Sequence, residues 1–469
     1  MIFSFKNKKV SGKDAAEVVL KPEGGSILFS GKSGRKVIRI ETGEFKKITR
    51  RKLASIFRRA VSLAKANKIK RIGLNFGDFL FKHLGLPAEE VAGIIAVNLE
   101  MADFEFVKYK SRPKDGWNFI KEVAVAGKIT PEIKMAFGAG QLLGREVNAC
   151  RALANTPGGE MTPKVLAEAA KTAFEKLPVN VSILGRKEME GLKMGGVLGV
   201  AKGAKEEPKF IVIEYFAGSV KEKPVVLIGK GVTFDTGGLN IKTGDGMYEM
   251  HMDMSGAAAI IHAISAAAKL KLARNVVGLI PAVENMTSAE SYRPGDVLKT
   301  MSGKTVEVIN TDAEGRIILA DALTYAKKYK PRLVVDVATL TGAAIAALGQ
   351  RASAIFSKDE NLLKLFQELG EESGDYVWPL PLWDEYEDDG IKGTFADLAN
   401  AHKTRYGGAI LGAMFLWQFV KDDKAKVGAI FPWVHIDMAP RMTSIDGDNL
   451  AKGAAGEPVR LLVKLLEKF

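Results

Sequence analysis

This sequence is poor in the residues on which many proteins build their chemistry. A single cysteine, Cys150, excludes an internal disulfide framework and a cysteine-based zinc knuckle. It stands on a helical pattern and reads as a small buried apolar residue rather than a nucleophile. The five histidines are His83, His251, His262, His402 and His435, and no two form an HExxH pair, so nothing supports a histidine-based zinc protease site. Glutamine occurs only four times beside abundant lysine and glutamate, a bias shared with heat-adapted proteins. The longest run of small apolar residues, 256–268, is interrupted by His262 and Ser265 and is too short to cross a bilayer. Lys6, Lys8 and Lys9 are followed by no apolar stretch, so no signal peptide and no membrane attachment are expected, and a cytoplasmic protein is. A phosphate loop is absent as well. Gly25 and Gly31, before Lys32 and Ser33, are separated by five residues where such a loop needs four.

What is present is ordinary in amount and uneven in distribution. With 469 residues, 47% of them hydrophobic and 26% charged, the chain reads as a soluble globular protein of two or three domains. Its net charge of +13 is not shared out: residues 1–150 hold 29 Lys+Arg against 15 Asp+Glu, and the remainder is close to neutral. That asymmetry marks the first third as a separate unit. Its densest basic stretch, Lys46 to Arg71, carries Leu53, Ile56, Phe57, Ala60 and Ala64 at three- and four-residue spacing, which predicts an amphipathic helix. Its basic face is either simply solvated or an electrostatic footprint for nucleic acid bound through residues 1–150, although no base-reading motif accompanies it.

Short apolar segments at 26–30, 37–40, 71–76 and 104–109 alternate with basic helical patterns, which predicts a small α/β domain over residues 1–130. A helix over 131–154 follows, ending at the breaker cluster Asn155-Thr156-Pro157-Gly158-Gly159. Beyond it, strand-like runs at 210–216, 224–230, 275–282, 305–309 and 333–338 are interleaved with helical patterns at 255–271, 315–329 and 361–370. This rhythm predicts a larger α/β catalytic domain over 155–469, with a mixed, largely parallel sheet covered by helices. In such sheets ligands collect at the carboxyl ends of the strands.

Two segments place charged residues where a strand should end: 228–238, continuing through Lys242 to Asp253, and Asn310 to Arg316. Both follow apolar runs and precede helical patterns, so Asp235, Asp253, Asp312 and Glu314 should meet at one sheet edge. Four carboxylates in one pocket repel unless some protonate or cations intervene. Two divalent ions ~3.5–4 Å apart, sharing carboxylates, resolve that conflict. An oxygen-rich donor set suits manganese, magnesium or zinc. Lys230 is a counter-ion or, as a neutral amine, a further ligand. Alternatively these acids are helix caps and surface charges, with Asp312 capping the helix that begins near Gly315. A two-metal phosphoesterase could use the same carboxylates.

At these segments the sequence resembles the leucyl aminopeptidase family, dinuclear metallo-exopeptidases. The family's hallmark Asn-Thr-Asp-Ala-Glu-Gly-Arg stands complete at 310–316. Gly-Lys-Gly-x-x-Phe-Asp-x-Gly-Gly occupies 229–238 and Asp-Met-x-Gly-Ala-Ala occupies 253–258. Further matches lie at 336–343, 396–400 and 433–439. The resemblance covers about 155–469 and implies roles residue by residue. Lys230, Asp235, Asp253 and Glu314 would hold one divalent metal and Asp235, Asp312 and Glu314 the other, as Mn2+ or Zn2+. Lys242 would polarise the scissile carbonyl. Arg316 would hold a bicarbonate ion that serves as general base, while a water activated by the metals attacks. Met250, Thr339, Leu340, Gly342, Ala439 and Met442 match positions around the side-chain pocket, so peptides with an apolar, leucine-like first residue are the expected substrates. A homohexamer is the implied assembly. The sequence departs from the family pattern at His251, where a basic Lys or Arg is common, and at Gly159, where Asn is frequent. With His251 there, the charge beside Asp253 is expected to titrate near neutrality.

Overall fold

Packing divides the chain into two units, Met1–Ala149 with Ser444–Gly453, and Cys150–Thr443 with Ala454–Phe469. The computed structural model describes residues 1–6, 10–31, 35–401, 406–422 and 428–469; Lys8, Lys9, Lys32, Ser33 and His402 lie outside them.

In the first unit, β1 (Ile2–Phe5), β2 (Ala15–Lys21), β3 (Ile27–Ser30), β4 (Lys36–Glu41), β5 (Arg71–Asn75) and β6 (Glu122–Ala126) form one sheet in the order β1-β6-β5-β2-β4-β3. All pairs are parallel except β3–β4. The expected amphipathic helix spans Arg50–Ala66. Thr49 opens it, its hydroxyl accepting from the Lys52 amide, and Leu53, Ile56, Phe57, Ala60, Val61 and Ala64 are buried. Several of the basic residues in and beside this helix are paired within the unit: Arg50 with Glu90 at 2.5 Å, Lys65 with Glu105 at 2.7 Å and Lys68 with Asp115 at 2.9 Å. The apolar segment 104–109 is not a strand. Its residues are half-buried or exposed, and the strand comes later, where the core of Glu122–Ala126 is buried between β1 and β5.

Asp103, at the end of the helix Ala88–Asp103, is buried and accepts a 2.8 Å hydrogen bond from the Ile120 amide. Burial pushes its carboxyl up to about 6, against that bond and Lys65, which pull down. A raised acid holds its proton more tightly in the folded state, so its contribution to stability falls as pH rises from about 4 to about 6. Asp103→Asn keeps an acceptor for Ile120. The variant is expected to match the parent below pH 4 and to exceed it above pH 6 by on the order of 2 kcal/mol. Thermal melts across pH check this, and equal melting at pH 7 would refute it.

The second unit carries β7 (Asn180–Leu184), β8 (Lys209–Phe216), β9 (Val225–Gly229), β10 (Gly231–Asp235), β11 (Asn275–Asn285), β14 (Leu333–Ala338), β15 (Ser353–Phe356), β16 (Val377–Pro379) and β18 (Trp433–Asp437) in one sheet. A small sheet joins β12 (Val297–Lys299), β13 (Thr305–Glu307) and β17 (Leu398–Ala399). The large sheet runs β16-β15-β18-β14-β9-β11-β8-β7, with β10 beside β11. Its centre, β18-β14-β9-β11-β10, is parallel, as is the edge pair β15–β16, while β11–β8, β8–β7 and β18–β15 are antiparallel. All eleven residues of β11 are buried, as a strand covered on both faces requires.

The helix Ser255–Lys269 lies unusually close to this centre, because small residues let it. A Cβ on Gly256 would stand 2.2 Å from the Val337 carbonyl oxygen, and one on Gly229 would stand 2.7 Å from Ala257 Cα. That approach brings the residues just before the helix up against the end of β9. Among the described residues, no helix is long and apolar enough to cross a membrane.

Candidate metal centre

Parallel strands end at one sheet edge, and the polar residues that stop these strands converge there. Lys230 follows β9, Asp235 ends β10, Asn285 ends β11, Thr339 follows β14 and Asp437 ends β18. Asp253 arrives from the segment before the helix Ser255–Lys269. Asp312 and Glu314 sit at the start of the helix Glu314–Ala326. Asp312 does not cap that helix: Ala313 holds the cap position and no side chain bonds there. Glu314 opens the first turn instead, where the helix dipole favours a negative charge.

Two lysines thread the four carboxylates. Lys230 Nζ lies 2.9 Å from both Asp253 Oδ2 and Glu314 Oε1 and donates to the Thr339 carbonyl at 3.0 Å. Lys242 Nζ lies 2.8 Å from Asp235 Oδ2 and 2.5 Å from Asp312 Oδ1. Lys230, Asp253 and Glu314 are almost fully buried, whereas the Asp312 side chain is 31% exposed, so the site opens toward Asp312 and Lys242.

Each buried aspartate has one oxygen anchored by protein donors and the other turned toward a lysine. Asp235 Oδ1 accepts from the Gly237 amide and from Asn285 Nδ2, both at 2.8 Å. Asp253 Oδ1 accepts from the Thr339 hydroxyl at 2.6 Å. Asn285 also donates to the Thr311 carbonyl, to which the buried Tyr292 hydroxyl donates as well. Asn400 Oδ1 accepts from the Ile309 and Asn310 amides, and the Asn400 carbonyl accepts from Arg316 Nη1 at 2.8 Å. Among these supports Gly237, Asn310, Thr311, Thr339 and Asn400 stood in segments that the sequence singled out. Asn285 and Tyr292 did not. An asparagine closing an eleven-residue buried strand was the available signal.

The electrostatics record a surplus of negative charge. Burial pushes Asp253 up to about 8, against Lys230, with Asp235 and Glu314 adding to the rise. Asp312 is pushed up to about 6 by burial and by Glu314 and Asp235, and Asp235 rises for the same kind of reason. Glu314 goes the other way: burial opposes its charge, but Lys230 and Lys242 outweigh it and hold the carboxyl below its ordinary value. Both lysines are raised, burial being overcome by the surrounding carboxylates, so Lys230 is an ammonium here. Burial draws His251 below its ordinary value, so at neutral pH it brings no charge to Asp253. Arg316 is drawn down to about 10 by burial and stays charged.

Four carboxylates against two ammonium groups leave room for further positive charge. Asp235, Asp312 and Glu314 offer oxygens all within 4.8 Å of one another. Asp253 Oδ2, Asp312 Oδ1 and Glu314 Oε1 are buried, and the lysine ammonium groups are the cations they face. This donor set fits hard divalent cations. Because Asn285 aims the Asp235 carboxylate, Asn285→Ala is expected to weaken metal binding about 10–100-fold with the fold retained. Metal titration followed by calorimetry measures it, and unchanged affinity would count against the orienting role.

The six residues expected around a side-chain pocket are placed as follows. Met250, Leu340, Ala439 and Met442 are half-buried, Gly342 is exposed, and Thr339 is buried with its hydroxyl on Asp253.

Comparison with known proteins places this site in a family. Residues 148–463 match the model of the cytosol aminopeptidase family, catalytic domain. A probable cytosol aminopeptidase of Azoarcus sp. (strain BH72) is 46% identical over 342 residues, 73% of this chain and 66% of that protein. One from Syntrophotalea carbinolica is 41% identical over 86% of this chain and 79% of its own length. Among solved structures, the bottromycin maturation enzyme BotP in complex with Mn superposes with a TM-score of 0.85 at 29% identity, covering 97% of this chain and 99% of that one. With its catalytic model matched over most of the second unit and relatives this similar along most of the sequence, the chain belongs to the cytosol aminopeptidase family.

Proposed function

We propose that the protein is a two-metal aminopeptidase that releases apolar, leucine-like residues from the amino termini of peptides. The observation that carries this reading is the set of buried Asp235, Asp253, Glu314 and Lys230 with half-buried Asp312, gathered at the ends of parallel strands. Bound divalent cations would supply Lewis acidity toward the scissile carbonyl and acidify a water molecule.

The chain's own residues do the rest. Asp235, Asp312 and Glu314 would hold one cation, and Asp235, Asp253 and Glu314 the other, joined by Lys230 once that cation takes over its charge and the ammonium gives up its proton to become a neutral amine. Lys242, fixed between Asp235 and Asp312 on the open side, presents a charged donor where an oxyanion would form. Arg316 keeps its charge and has an unpartnered Nε, which suits an anion such as bicarbonate that accepts the proton. Half-buried Met250, Leu340, Ala439 and Met442 adjoin Asp253, Thr339 and Asp437 in the chain and favour an apolar side chain.

The test is hydrolysis of leucine-p-nitroanilide by chelator-treated protein before and after resupply of manganese or zinc. Activity is expected to vanish with chelation and to return with metal. Fully metallated protein that cleaves no member of a panel of amino-acid amides would overturn the reading. The resemblance further implies a homohexamer, which sedimentation of the purified protein measures.

A further inference from the structure

A cleft of about 530 Å³ in the first unit is lined by charged groups that do not neutralise one another. One wall is a face of the helix Arg50–Ala66, where Lys52, Ser55, Ile56 and Arg59 stand three and four residues apart. Ile40, Glu41 and Gly43 line it from the end of β4 and just beyond, and Gly447 and Asn449 complete it. Ile40 and Ile56 are both buried, which gives the cleft an apolar base.

Arg50 and Lys65 on the same helix have carboxylate partners, but among the described residues Lys52 has none. Its ammonium lies over Gly43, where a Cβ would stand 3.6 Å from Nζ. Gly43 has a φ of +64°, which glycine takes without strain, and it adds no side chain to the cleft. Arg59 reaches Asn449 Oδ1 through a long 3.4 Å bond and pairs with no carboxylate among the described residues. Glu41 is fixed at one oxygen, Oε2 accepting from the Gly25 amide at 2.8 Å, while Oε1 is left for a ligand. The segment that carries Asn449 is closed on itself, the Ser444 amide donating to the Gly453 carbonyl at 2.8 Å. Leu450 packs on the apolar core of the unit, so Asn449 keeps its place beside Arg59.

Seven residues along a helix are two turns, so the two cations start ~10 Å apart along its axis. A nucleic acid or another polyanion would meet both of them and would also meet the Glu41 carboxylate, which repels it. A small zwitterion satisfies all three charges. An α-amino acid carries ammonium and carboxylate on one carbon and points its side chain away from them.

We propose that this cleft binds a free α-amino acid with an apolar side chain. Glu41 takes the ammonium, Arg59 and Lys52 take the carboxylate, and the side chain rests on Ile40 and Ile56. Leucine has this chemistry and is the product of the proposed reaction. The choice of that probe rests on the aminopeptidase reading, whereas the binding does not.

Isothermal titration calorimetry of L-leucine into the full-length protein, metal-loaded and chelated, tests the proposal. One leucine per chain should still bind after chelation, and Glu41→Gln and Arg59→Gln should each weaken it about tenfold. Glu41→Gln can still accept from the Gly25 amide through its carbonyl oxygen, so the cleft is kept and the charge is lost. Both side chains are exposed, so the variants should melt with the parent. Glu314→Ala should leave this binding unchanged, which separates it from the metal centre. N-acetyl-leucine lacks the ammonium and leucinamide lacks the carboxylate, so each should bind at least about tenfold more weakly.

N-acetyl-leucine binding as tightly as leucine would overturn the proposal, as would an affinity that Glu41→Gln and Arg59→Gln leave unchanged. So would chelated protein that takes up no leucine at about 10 mM. None of these measurements needs activity. A parent protein that cleaves no amino-acid amide would end the aminopeptidase reading and leave this one to the calorimeter.

Discussion

Replacing Glu314 by alanine is expected to lower kcat/KM on an amino-acid p-nitroanilide by at least about a thousandfold. Loss of a merely supporting residue around a metal site costs about 10–100-fold, and Glu314 is one of the carboxylates that face the site directly. Among the four acids it is the one held below its ordinary pKa, by Lys230 and Lys242 against the effect of burial. Its loss removes the most firmly ionised carboxylate of the four and leaves Lys230 with Asp253 as its remaining close carboxylate partner. Metal content should fall with activity, and Glu314→Gln, which keeps the shape and drops the charge, should behave like the alanine variant. Assays with metal analysis by atomic emission decide the point. A variant keeping a tenth of the parent's activity with full metal content would remove Glu314 from the site.

The largest expected loss of stability lies elsewhere in the second unit, at Asp375. Its Oδ1 accepts from Arg460 Nε at 2.9 Å and also from Arg460 Nη2, while Oδ2 accepts from the Leu461 amide at 3.0 Å. Both residues of the pair are buried. Close by, Arg441 donates through Nε and Nη2 to Glu457 Oε1, forming a second buried pair. Removing one member of such a pair strands a charge away from water and costs about 3–5 kcal/mol. Asp375→Ala should therefore unfold at clearly lower urea concentration, and Asp375→Leu should do no better, since Arg460 stays stranded. Urea titration at fixed protein concentration measures the loss. A change under about 1 kcal/mol would mean that Arg460 finds Glu457 or water instead.

How much of this was legible beforehand differs from element to element. The strand Leu333–Ala338 falls on its predicted residues, and the helix Glu314–Ala326 lies within a residue of its predicted start. In both, the signal is local: a continuous buried apolar run for a covered strand, and a polar turn followed by helical periodicity. The segment 104–109 carried a similar local signal and forms no strand, since a strand needs a neighbour and β1 and β5 pair with Glu122–Ala126 instead. Asp312 offered a plausible cap by position, yet its carboxylate is drawn to Lys242, an ion pair that no local rule anticipates.

The sequence by itself determined the kind of chemistry. Two motifs, 229–238 and 310–316, supplied the carboxylates and lysines, and their places after apolar runs assigned them to the ends of strands. Tertiary structure alone decided the pairings. Lys230 lies between Asp253 and Glu314 because Gly229 and Gly256 let a helix close onto the sheet, and Asp235 is aimed by Asn285 because β10 lies beside β11. Tertiary structure also decided that Ser444–Gly453 packs with the first unit and that Asp336 meets His435 across two strands nearly a hundred residues apart in the chain. The physical reason is one of range. Propensity and periodicity act over a few residues, whereas strand order and close packing are set by burial summed over the whole unit, and the direction a side chain faces follows from them.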